Sequence, residues 1–65
     1  MWKQADQVQV GDRIQVWRGV EPEWETITQV HADPQLIRFV TVGARGSFEL
    51  TLQRTAQVNV GASDV

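Results

Sequence analysis

Three carboxylates fall within five residues at Glu21-Pro22-Glu23-Trp24-Glu25. Paired carboxylates held at a set separation across a cleft carry out acid–base chemistry on glycosides. A chain of 65 residues has little room for such a cleft. An acidic run broken by Pro reads instead as a solvated loop, able to repel phosphate or to meet a basic partner. The single histidine, His31, has only Asp33 beside it, and there is no Cys. Metal sites draw on three or four ligands, so neither a metal nor a cofactor is expected. Gly43-Ala44-Arg45-Gly46-Ser47 could nest an anion on backbone amides, but it lacks the Gly-Lys-Ser/Thr ending of a phosphate loop and the helix that follows one. It reads as a hairpin turn. With no nucleophile–base pair, metal cluster or phosphate loop, the chain is not expected to be an enzyme.

Binding chemistry is better supplied. Tryptophans stand at positions 2, 17 and 24. Trp24 opens the second strand and is expected at the core or its rim, where bulk is needed. Trp17 alternates against Ile14 and Val16 and is expected to point outward or toward the barrel mouth beside Arg18, either as part of a pairing enriched in interface hot spots or as a cover for a barrel edge. Arg38, Arg45 and Arg54 fall on successive neighbouring elements and are expected to share one side with Glu49, as basic groups do in RNA-binding barrels. The net charge of −2 opposes that second use, because it supplies little counterion-release drive.

Sixty-five residues bound the chain to one domain, expected over 1–60, with a fraying tail over 61–65. No disulfide or metal reinforces it, so strand closure, self-association or a partner surface must help. No apolar run approaches the roughly 18–20 residues of a membrane span, and Met1-Trp2-Lys3-Gln4 opens no signal peptide. A cytoplasmic protein is expected.

The elements that position these residues follow period two. Ile14 and Val16 alternate with Arg13, Gln15 and Trp17; Thr26, Thr28 and Val30 oppose Ile27 and Gln29. Residues 35–42, QLIRFVTV, are apolar on both faces apart from Arg38. Phe48, Leu50 and Leu52 oppose Glu49, Thr51 and Gln53, and AQVNV closes the pattern. Breaks fall near Pro22, at Asp33-Pro34-Gln35, between Gly43 and Gly46, and at Arg54-Thr55. In VQVGDRIQVW (8–17) an unbroken strand would bury Asp12 among Val8, Val10, Ile14 and Val16 at a cost of several kcal/mol. The chain is therefore expected to turn at Gly11-Asp12, with Val8 and Val10 tucked beneath the sheet and the first long strand starting at Arg13. The expected core joins Phe48, Leu50 and Leu52 to Ile14, Val16, Val30 and Val58.

The stretch ADQVQVGDRIQV resembles the opening of many SH3-like small barrels. EWETITQV, the Asp-Pro turn, LIRFVTV, the glycine hairpin, SFELTL and VNV continue that resemblance over roughly residues 5–60. It implies an all-β fold: a five-stranded, strongly bent antiparallel meander with a short N-terminal arm. The opening also resembles the hedgehog/intein (Hint) fold. That chemistry needs a Cys or Ser nucleophile at the first residue, a Thr-His pair and a terminal His-Asn, whereas this chain has Met1, one His and Asp64-Val65. The resemblance thus implies a barrel and no splicing. The expected function is a noncatalytic protein-binding or adaptor module of a bacterial or phage accessory kind. It would contact a protein partner or a second copy through a strand edge and the Trp17–Arg18 surface. Nucleic-acid binding through Arg38, Arg45 and Arg54 is the alternative.

Overall fold

A computed structural model describes residues 1–61. Six strands follow in order: β1 (Trp2–Gln4), β2 (Arg13–Trp17), β3 (Pro22–Ala32), β4 (Leu36–Gly43), β5 (Gly46–Gln53) and β6 (Gln57–Asn59), with a single 3-10 turn at Ala5–Gln7. The domain is all-β and every pairing is antiparallel. Strands β2-β3-β4-β5 form one meandering sheet, and β1 pairs with β6 in a second. The expected arm therefore carries a strand of its own. The two sheets meet at a bridge between Ile14 and Val60, beside the Gly61 N–H donated to the Arg13 carbonyl at 2.8 Å. Among the described residues the sheets do not close into a barrel. The corner at Arg54-Thr55 carries the chain to Ala5 and Asp6 and on to β1, and no described pairing joins β2 or β6 to β5.

The break within VQVGDRIQVW is where the carboxylate argument puts it. Gly11 sits at φ 96°, a region that costs side-chain-bearing residues energy. Asp12 turns its carboxylate out of the core to accept the Gln9 N–H at 2.9 Å. Val8 is buried, but Val10 is 62% exposed, contrary to expectation. The corner begins at Gln9, so Val10 rides on its outside. Gly61 is part of the fold, since it bonds Arg13 and lies under the Trp24 ring. The remainder of the expected tail, 62–65, lies outside the described residues.

The core gathers Ala5, Val8, Ile14, Val16, Ile27, Ile37, Phe39, Val58 and Val60, with Val30, Leu50, Leu52 and Ala56 packed against it. Ile27 and Val30 stand on opposite sides in simple alternation, yet both turn inward. A bulge at Thr28 shifts the β3–β4 register between Ile27 and Gln29, and one extra residue reverses the faces beyond it. On β4 the inward set is Ile37, Phe39 and Thr41, leaving Leu36 and Val42 exposed. No described helix is long and apolar enough to cross a membrane.

Candidate functional site: an open seam beside a buried ion pair

Two corrections shape the site. The acidic stretch is not a loop. Strand β3 starts at Pro22, and pairing sets Glu25 beside Ile14 and Glu23 beside Val16, on the inward side of the sheet. Glu25 is 2% exposed. Arg18, expected on the outer surface beside Trp17, folds inward to meet it. Its Nε donates to Oε2 at 2.6 Å and its Nη2 to Oε1 at 3.1 Å, and the Thr41 hydroxyl donates to Oε1 at 2.5 Å. The guanidinium stacks 4.0 Å from the centroid of Phe48.

Such a bidentate, aromatic-backed pair is the form in which a charge can leave water. The Arg18 guanidinium, helped by Thr41, holds the Glu25 carboxyl below its ordinary 4.5, although burial pushes the other way. Gly43 serves this pair rather than the turn. A Cβ there would lie 2.7 Å from the Glu25 Cγ, whereas the hairpin's positive φ is at Gly46. The network caps one end of the core and fixes Arg18 as the end wall of a groove.

That groove, about 310 Å³, runs between the inward faces of β2 and β5 with β6 behind it. Ile14, Val16, Leu50, Leu52 and Val58 give it an apolar floor. Trp2 and Trp17 stand at its rim, 65% and 67% exposed. Its size is at the low end of the roughly 300–1,000 Å³ range for ligand pockets. Strand β5 borders it with a free edge, since β4 is its only sheet partner among the described residues. The hairpin closes on the Gly43–Gly46 pair, so alternation turns the N–H and C=O groups of Phe48, Leu50 and Leu52 toward β4. Those of Ser47, Glu49 and Thr51 face the open side, as does the Gln53 N–H, whereas the Gln53 carbonyl accepts the Ala56 N–H at 3.0 Å.

Trp17 is thus outward and available, as its alternation predicts. Trp24 is not a core residue. It lies on the outer face, covering Gly61, with Arg13 5.9 Å from its ring centroid.

The three other arginines are not brought together. Arg45 and Arg54 flank opposite ends of eight-residue β5, which spans roughly 24 Å at about 3.4 Å per residue. Arg45 pairs with Glu23 at 3.0 Å and donates to the Arg18 carbonyl, and Arg54 donates to the Asp33 carbonyl. Arg38 lies exposed on β4 between His31 and Thr51. His31 contacts Gln29 on the surface, and no described group of three or more His, Cys, Asp or Glu could hold a metal.

Sequence reasoning missed the Arg18–Glu25–Thr41 network, and it let Trp2 fold back from the arm over one end without setting it beside Trp17 on one groove. The signal for Glu25 was its parity with Ile27, which the bulge obscured. Comparison with protein families, curated proteins and solved structures finds no match to this chain.

Proposed function

We propose that this chain is a noncatalytic, SH3-like binding module, an adaptor that takes protein partners along the open β5 edge and the Trp17 side of the groove. The observation that carries the reading is the coincidence of three features in one place. An unpaired strand edge, an apolar groove and two exposed tryptophans adjoin one another. A free edge supplies main-chain hydrogen bonds, and flanking pockets supply side-chain selectivity, which is how strand addition recognises extended segments. Large aromatics at such a rim are the usual anchors.

Trp17→Ala tests this directly. The ring is mostly exposed, so the thermal transition should move little, within the roughly 0.5 kcal/mol expected of surface changes. Affinity capture from a native extract, with and without nuclease, should recover a protein that the variant no longer holds, with nuclease making no difference. Capture that is lost on nuclease treatment and indifferent to Trp17 would contradict the reading.

A further inference from the structure

We propose that the partner of the β5 edge is a second copy of this chain, joined strand to strand about a two-fold axis at Leu50. This rests on reading the strand edge as a contact surface, and it names what occupies that edge.

The first argument is what β5 lacks. Natural edge strands are guarded by Pro, Lys, bulges or inward charges. Strand β5 reads Gly-Ser-Phe-Glu-Leu-Thr-Leu-Gln, pairs with β4 in unbroken register from Gly46 to Gln53, and carries none of these. Its one charge, Glu49, lies on the outer face. By contrast, the β2 edge is covered by residues 59–61 through the Ile14–Val60 bridge and the Arg13–Gly61 bond.

The second argument is self-complementarity, which a two-fold contact demands. An axis at Glu49 would set Glu49 against its own copy. An axis at Thr51 would overlap only the last part of the strand. An axis at Leu50 pairs Ser47 with Gln53 of the second copy and Glu49 with Thr51 of the second copy. No like charges meet. Ser47, Glu49 and Thr51 turn both backbone groups outward, while Gln53 offers its N–H, its carbonyl already accepting the Ala56 N–H at 3.0 Å; their exchange gives about six hydrogen bonds. On the inner face Leu50 meets Leu50 of the second copy and Phe48 meets Leu52 of the second copy. The half-buried apolar row along the seam continues across the axis.

Position 51 reports the register through charge. Its side chain is exposed on the outer face, opposite Arg38 within the chain and opposite Glu49 of the second copy across the axis. Thr51→Lys adds two attractions per dimer and Thr51→Glu two repulsions. Each should move the dimer dissociation constant by about 2- to 30-fold, tighter for Lys and weaker for Glu. Within one chain the signs reverse, because Arg38 favours Glu and opposes Lys. Fold stability and association should therefore respond oppositely, so a folding defect cannot mimic the result. Combining Thr51→Glu with Glu49→Lys should restore association.

Sedimentation equilibrium of the purified chain and these variants, with thermal melts alongside, reads all of this. Reversible dimers ordered Lys variant, wild type, Glu variant, with rescue by the double change, support the proposal. A monomer at every concentration, or dimers indifferent to position 51 but abolished by Trp17→Ala, overturn it. In the monomer outcome, Trp17-dependent capture of another protein would leave the binding-module reading standing.

Discussion

Arg18→Ala should leave the domain largely unfolded at neutral pH and partly refolded in mild acid. The substitution strands Glu25, whose side chain is 1% exposed, with only the Thr41 hydroxyl for company. Removing one partner of a buried ion pair costs about 3–5 kcal/mol. Because the Arg18 side chain is itself 22% exposed, the lower end applies. A core of this size supplies only about 3–5 kcal/mol in total, so even about 3 is decisive.

The pH dependence separates this cause from lost packing against Phe48. In the wild type the folded carboxyl sits below 4.5, so its contribution is present above that value and disappears as pH falls through the folded value. Without the guanidinium, burial raises the folded value above 4.5, and protonation then accompanies folding. Stability of the variant rises as pH falls, and that of the wild type declines. Urea melts across the acid range should show slopes of opposite sign. Replacing the pair with Arg18→Met and Glu25→Leu together should recover most of the loss, since no charge is stranded. Equal stability and parallel slopes for wild type and Arg18→Ala would show that the pair contributes nothing.

The second large effect is at Phe39. It is fully buried, paired with Val30 on one side and Leu50 on the other, at the centre of the four-stranded sheet. Phe39→Ala removes its buried ring and leaves a cavity that the strand backbones cannot collapse, at about 3–5 kcal/mol. Little folded protein should remain by circular dichroism. Leu50→Ala, on half-buried β5, should cost nearer 2 kcal/mol. Thr51→Ala on the outer face should stay within about 0.5 kcal/mol. A Leu50 effect equal to that of Phe39 would mean that the seam is closed rather than open.

The elements themselves were legible in the residues. Alternation placed Ile14 and Val16 inward and Trp17 outward, and a buried-carboxylate argument located the corner at Gly11-Asp12. Phe48, Leu50 and Leu52 share the inner face as their spacing requires. What alternation could not reveal was the bulge at Thr28, because Thr26, Thr28 and Gln29 are tolerated on either face and give no apolar penalty for a parity change. That one residue concealed Glu25, which a strand uniform from Glu25 to Val30 would place opposite Val30 and therefore in solvent. Phe39 and Ile37 were ambiguous because β4 is apolar on both faces, and only its central position in the sheet decides which face is covered. Closure was illegible for another reason. It depends on where the chain goes after Arg54, at a corner with neither Gly nor Pro to mark its direction.

The openness of β5 is the feature on which both the binding reading and the dimer depend, and amide hydrogen exchange measures it residue by residue. In dilute protein, Phe48, Leu50 and Leu52 should exchange slowly because their N–H groups bond β4. Ser47, Glu49, Thr51 and Gln53 should exchange far faster, in strict alternation, and should gain protection as the protein is concentrated or a partner is added. Slow exchange along the whole of β5 in dilute protein would mean that the edge is already paired, and would contradict the account.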